Sequence, residues 1–342
     1  MNAGVVRVAD SPVTSCSAEV VGVLQSRAPA SYRAAAEMLN AFDLAVVQHE
    51  YGIYGGPDGE HLLAVLDRVR VPIVLVAHTV LASPTAHQRQ VLETAVSASA
   101  AVVTMTAAAR NRLIAQYRVD GDKVVVIPHG ALDRGPHDLA TPGRRPLILT
   151  WGLLGPGKGI EWAIDGLHQL RRMNPVPAYI IAGQTHPRVR QRQGESYRRH
   201  LAERARAVGV SRSVRFEGAY LDEPSLTQLI RRADVVLLPY DSRDQVTSGV
   251  LVEAVAARKP VVATRFPHAV EMLGSGAGLL VPHGDGTAIG AALELILTDR
   301  DLAETMSAEA ARLAPALLWP AVADQYQALA DSLLTSRTPV LG

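Results

Sequence analysis

Short apolar runs recur along this 342-residue chain, separated by longer segments whose apolar positions repeat with a helical period. Five runs come first, at residues 5–8, 44–47, 73–77, 101–104 and 124–127, and six follow at 147–151, 178–182, 214–217, 235–239, 260–264 and 278–281. Continuous apolar runs of this length suit a parallel sheet buried on both faces. Their alternation with helical segments predicts an α/β protein with right-handed crossovers. A polar stretch holding prolines and glycines at 132–146 divides the two series and marks a domain boundary. Residues 16–30, small and polar, read as a connector. Helices are predicted over 287–297 and 302–314, and a last amphipathic helix runs from Trp319 to about Leu334.

The length fits this division, because single cores stop growing at roughly 250–300 residues. A net charge of +1 argues against broad capture of nucleic acid and leaves membrane contact at most peripheral. Cys16 is the only cysteine, so no intrachain disulfide forms and a reducing compartment is expected. There is no uncharged apolar run of ~18 residues and no signal-like start, which makes the expected location cytoplasmic. The histidines are scattered, without an H-E-x-x-H or a Cys/His cluster, so no metal site is expected.

The polar chemistry concentrates in residues 240–264, YDSRDQVTSGVLVEAVAARKPVVAT, a loop, a helix and a buried strand. Thr247 and Ser248 are good N-cap residues, and Gly249 leaves the backbone approachable. The unpaired amides and partial positive charge of the first turn, through Val250, form a phosphate site. Glu253 follows Ser248 by five residues, roughly 7 Å along the axis, within range of the ribose of a nucleotide held at the tip.

This segment resembles the donor-site signature of the retaining glycosyltransferases of family 4, which have the GT-B fold. Glu253-Ala254-Val255-Ala256 and Lys259-Pro260-Val261-Val262-Ala263-Thr264 match its second half. Gln245, with Asp244 beside it, stands where the family has a first Glu that touches the donor sugar. The resemblance implies two Rossmann-like domains facing a cleft: 1–138 on the acceptor side, 139–318 binding the nucleotide sugar, and 319–335 as a helix crossing back, with Trp319 as anchor. The family's first Gly-rich loop is not found, so the N-terminal domain is expected to be reduced.

A second loop supports the same reading. The strand at 147–151 feeds Gly152-Leu153-Leu154-Gly155-Pro156-Gly157-Lys158-Gly159, where glycine amides and the Lys158 ammonium suit a diphosphate. It resembles the family's G-R-L-x-x-E-K-G, with Leu153 in place of the Arg; Arg265 is a candidate substitute for that cation. It is neither a dinucleotide fingerprint nor a Walker A loop. Gly183 fits the glycine that lines the donor base and ribose in relatives.

In the first domain, His49, Glu50, Gly52, Gly55 and Gly56 follow a strand end and are expected on the acceptor side. His78 stands where many relatives keep a cleft histidine, and His129 replaces the Asn of an I-P-N-G segment, with a structural role expected. Thr106 is an expected N-cap for the helix reaching Gln116. The resemblance implies hexose transfer from a nucleotide-diphosphate sugar to a carbohydrate or other hydroxyl acceptor, with His78, Lys158 and Gln245 at the reaction and no cofactor. The alternatives are a non-catalytic nucleotide-sugar-binding or scaffold relative and a sugar-nucleotide epimerase on the same fold.

Overall fold

The computed structural model describes residues 3–10, 17–26, 28–135 and 144–335. The chain folds as two compact units. The first is Met1–Pro128 with the stretch from Ala323 onward, and the second is His129–Val322. The division falls ahead of the polar stretch at 132–146, of which 136–143 lie outside the described residues, as does Cys16.

The first unit contains β1 (Val5–Ala9), β2 (Val20–Gln25), α1 (Pro29–Leu39), β3 (Ala45–His49), α2 (Leu62–Leu66), β4 (Ile73–Ala77), α3 (Ala86–Ser97), β5 (Ala101–Thr104), α4 (Ala107–Gln116) and β6 (Val124–Val126). β3, β4, β5 and β6 form a parallel sheet in that order, and β1 and β2 form a separate parallel pair. The strand β2 corrects the expectation of a connector at 16–30. Its Val-rich stretch pairs with β1, and Gly22 leaves room for Met38, whose sulfur would lie 2.0 Å from an added Cβ. Thr106 caps α4, accepting from Ala109 N at 2.9 Å.

The second unit runs β7 (Leu147–Trp151), α5 (Ile160–Leu170), β8 (Ala178–Ala182), α6 (Pro187–Gln193), α7 (Ser196–Ala207), β9 (Val214–Glu217) and α8 (Glu223–Arg232). It continues through β10 (Val235–Leu238), α9 (Gly249–Ala256), β11 (Val261–Thr264), α10 (Pro267–Leu273), β12 (Gly278–Val281), α11 (Gly286–Thr298), α12 (Arg300–Leu317) and α13 (Trp319–Thr335), whose later residues belong to the first unit. All strands are parallel, in the order β12-β11-β10-β7-β8-β9.

Numbered from the start of this unit, that order is the doubly wound 3-2-1-4-5-6 arrangement, read from the other edge. The winding reverses between β7 and β10. Helices therefore leave a crevice beyond the carboxyl ends of those two strands, where such sheets bind ligands. β7, β10 and β11 are buried along their whole lengths, with apolar cores on both faces of the sheet.

Candidate functional site

Two loops leave the sheet at the switch point. The first follows β7 and passes beside the exit of β8: Gly152 N donates to Ala182 O at 3.0 Å and Leu154 N to Gln184 O at 2.9 Å. Gly183 has φ +135°, and a Cβ there would lie 2.0 Å from Gly152 O, so this crossing requires glycine. Gly155 is also tight, with Val189 Cγ2 at 3.2 Å from an added Cβ. At Gly159, φ +61°, a Cβ would meet Pro239 O at 1.8 Å. The start of α5 thus rests directly on the exit of β10. The Lys158 ammonium lies 4.2 Å from the centre of the Tyr240 ring, a cation–π contact that fixes it beside the same exit. Tyr240 is itself held, stacked on Phe266 at 5.2 Å, and its carbonyl accepts from Thr264 Oγ1 and His283 Nδ1 at 2.6 and 2.8 Å.

The second loop runs from β10 into α9. Asp241 N donates to Gly157 O at 3.0 Å, joining it to the first loop. Ser248 is the N-cap, with Oγ accepting from Leu251 N at 3.3 Å. Its own N–H donates to His268 Nδ1 at 2.8 Å. That bond needs a neutral acceptor, and burial, followed by the nearby His129, pushes His268 down to about 4. The N–H groups of Gly249 and Val250 have no acceptor among the described residues. A methyl on Gly249 would lie 3.2 Å from His129 Nε2, and one on Gly152 would lie 3.6 Å from Val250 Cγ2. The helix tip and the Gly-rich loop are therefore neighbours.

Glu253 stands further along α9, its side chain 28% exposed. Its Oε2 accepts from Arg134 Nη2 at 3.1 Å and from Trp151 Nε1 at 3.3 Å. Gln245 turns its amide inward, donating Nε2–H to Thr247 O at 3.0 Å. Asp244 is exposed in the same loop, and Thr247 Oγ1 is buried without a hydrogen-bond partner among the described residues. Leu153, at the position of the family's Arg, is 47% exposed, and Arg265 is exposed after β11. The second unit thus brings together Gly155, Lys158, Gly183, Asp244, Gln245, Thr247, Ser248, Gly249, Val250 and Glu253. Sequence reasoning missed Arg134, Trp151 and His268, none of which falls inside a motif.

The expected acceptor-side residues belong to the first unit. His78 Nε2 lies 2.6 Å from Gln48 Oε1. His49 requires a correction, because it is 1% exposed and packed edge-on to Tyr51 with ring centroids 5.1 Å apart. Burial, and then His78, push it down to about 4, so it is a neutral core histidine and does not reach an acceptor. Glu50 is engaged by Thr79 Oγ1 at 2.5 Å and Tyr51 N at 3.0 Å. The glycines have local reasons. A Cβ at Gly55 would lie 1.9 Å from Ser26 O, and Gly56 has φ +79°. Gly52 is exposed.

Residues 135–313 match the family description Glycosyl transferases group 1, and residues 20–131 match Glycosyltransferase Family 4. The chain belongs to glycosyltransferase family 4 and has the GT-B fold. It is 30% identical over 282 residues to a D-inositol 3-phosphate glycosyltransferase of Nocardia farcinica, covering 75% of this chain and 60% of that one. It is 33% identical over 231 residues to a phosphatidyl-myo-inositol mannosyltransferase of Mycobacterium leprae, covering 66% and 58%. It therefore spans less than two thirds of these relatives' length. Among solved structures it is similar to HepE of Anabaena in complex with UDP and glucose, with a TM-score of 0.72 and 19% identity, covering 93% of this chain and 86% of that one. Sucrose-phosphate synthase of Thermosynechococcus elongatus gives 0.75 and 19%, covering 97% and 88%. No helix among the described residues is long and apolar enough to cross a membrane.

Proposed function

We propose that the chain is a retaining hexosyltransferase that takes a sugar from a nucleotide-diphosphate donor and places it on a hydroxyl acceptor in glycan or glycoconjugate synthesis. The observation that carries this reading is the convergence at the switch point of the second unit. A helix tip with two amides that have no acceptor among the described residues, a lysine ammonium and a partly exposed carboxylate one to two turns along α9 stand around the exits of β7 and β10. Each group answers one part of the donor: amides and Lys158 the diphosphate, Glu253 the ribose, Gln245 and Asp244 the sugar hydroxyls. On this reading the departing diphosphate is stabilised by the helix dipole and Lys158, and no metal is required. The leaving phosphate oxygen takes the acceptor proton on the face from which it departs, so the anomeric configuration is kept. His78 would serve the sugar side. The complex of HepE with UDP and glucose, on the same fold, supports UDP as the first donor nucleotide to test. We further propose a cytoplasmic enzyme with at most peripheral membrane contact.

Calorimetry with UDP, GDP and ADP, followed by transfer assays over a donor and acceptor panel, tests the reading. We expect one nucleotide to bind in the micromolar range and Glu253→Ala to weaken it by about 10-fold or more. Unchanged affinity would remove Glu253 from the site. Two features favour a binding-only relative as the second reading: Gln245 spends its amide on its own loop, and Leu153 supplies no cation. Nucleotide binding without turnover of any donor would select it.

A further inference from the structure

Arg134 lies in the segment between the last strand of the first unit and the first strand of the second, yet its side chain is only 2% exposed. Its guanidinium is split between two helices. Nη1 donates to the Glu223 carboxylate and to Thr227 Oγ1, both on α8, while Nη2 donates to Glu253 Oε2 on α9 at 3.1 Å. Trp151, the last residue of β7, donates to that same oxygen at 3.3 Å. Both donors therefore converge on one oxygen of Glu253, and Oε1 has no partner among the described residues.

A charge this deeply buried is costly unless it is paired and its donors are satisfied. Here the cost is offset in part by two carboxylates on different helices, which also fix the plane of the fork, while Nε is buried without a hydrogen-bond partner among the described residues. A purely structural bridge within the α8 side would be complete with Glu223 and Thr227. The second amino group reaches past them to Glu253, the carboxylate that also accepts from Trp151 at the end of β7.

We infer that Arg134 is a positioning residue: it clamps Oε2 of Glu253, together with Trp151, so that Oε1 is held outward to accept from the ribose hydroxyls of a nucleoside diphosphate. The assignment rests on the donor-site reading above. It concerns the orientation of the carboxylate and not its presence, so lysine, which keeps the charge but lacks the fork, is a poor substitute.

The test is calorimetry with UDP and 2′,3′-dideoxy-UDP on the wild type and on Arg134→Lys, with the corresponding guanosine pair used if guanine is the base that binds. The wild type should prefer the ribose form by about 10- to 100-fold, the worth of hydrogen bonds to a carboxylate. In Arg134→Lys the preference should collapse to within about threefold, while dideoxy affinity stays near the wild-type value. A lysine variant that is folded by circular dichroism and keeps the full preference overturns the assignment and leaves the donor site standing. Wild-type protein that binds none of these nucleotides sinks the donor site and the assignment with it. If Arg134→Lys does not fold, Glu223→Gln takes its place. Glu223 is half exposed and does not touch Glu253, and its loss slackens the clamp from the α8 side. A partial loss of ribose preference is then expected, and full retention again overturns the assignment.

Discussion

At the scale of single residues, the site is governed by which donors are already spent. Gln245 illustrates this, since its amide is committed to Thr247 O at 3.0 Å. Restoring the family's carboxylate with Gln245→Glu removes that donor and sets two acceptors face to face. The expected result is a loss of about 1 kcal/mol in denaturant unfolding together with altered donor preference, and a variant as stable as the parent would show that the loop bond carries no weight. Lys158 is the opposite case. Among the described residues its ammonium is held by the Tyr240 ring, 4.2 Å from its centre, with no hydrogen-bond acceptor, which leaves its donors for a ligand. Lys158→Ala should weaken UDP binding about tenfold and leave uridine binding unchanged, because the lost interaction is with phosphate. An equal loss for both ligands would place the lysine elsewhere in the site.

At the scale of elements, the K-P-V-V-A-T run divides into parts with different duties. Lys259 is 1% exposed, and its Nζ donates to Arg231 O at 2.6 Å and Ala233 O at 2.7 Å, the orphan carbonyls at the end of α8. A motif residue that reads as part of the binding signature thus caps the C-terminus of α8 from the turn between α9 and β11. Its charge is well placed against the negative end of the α8 dipole. Lys259→Met fills similar volume without donating and should cost roughly 2–4 kcal/mol in thermal or denaturant unfolding, with nucleotide affinity retained in the folded fraction. A loss of affinity without a loss of stability would instead make Lys259 a site residue. Gly159 couples an element to the site directly. Its φ of +61° and the Pro239 carbonyl 1.8 Å from an added Cβ mean that Gly159→Ala must push α5 off the exit of β10. That variant should lose stability and nucleotide binding together.

At the scale of the whole molecule, the parallel strands and the start of α9 were legible because β-branched runs and a Ser-Gly helix start leave local marks in the sequence. Longer-range arrangements left fewer. The apolar run of β2 is interrupted by Gly22, whose reason is Met38 on the next helix. Arg134 sits in a polar stretch with no periodicity and acquires its role only when α8 and α9 close around it. His49 was readable in principle. Burial alternates along β3, with Val46 and Gln48 outward and Ala45, Val47 and His49 inward, so the pleat places the histidine inside. That burial has a consequence in each unit, since His49 and His268 are both pushed from 6.5 to about 4. The unfolded chain binds protons at these sites from about pH 6.5 downward, while the folded chain resists until about pH 4. Stability is therefore full above pH 6.5, is lost as pH falls through this window, and changes no further below about pH 4 on their account, by roughly 3 kcal/mol for each. His87, raised by Asp58 and Glu60, opposes the trend in the first unit but is far more exposed, and screening weakens its effect. The two contributions can be separated by fluorescence, because Trp151, Trp162 and Trp319 all lie in the second unit. His268→Asn keeps an acceptor for Ser248 N but cannot titrate. Denaturant unfolding followed by tryptophan emission should lose much of its pH dependence between pH 7 and pH 4.5 in that variant, whereas His49→Gln should leave the tryptophan signal's pH dependence as it was. An unaltered slope in His268→Asn would mean that the acid sensitivity of the second unit resides in other groups.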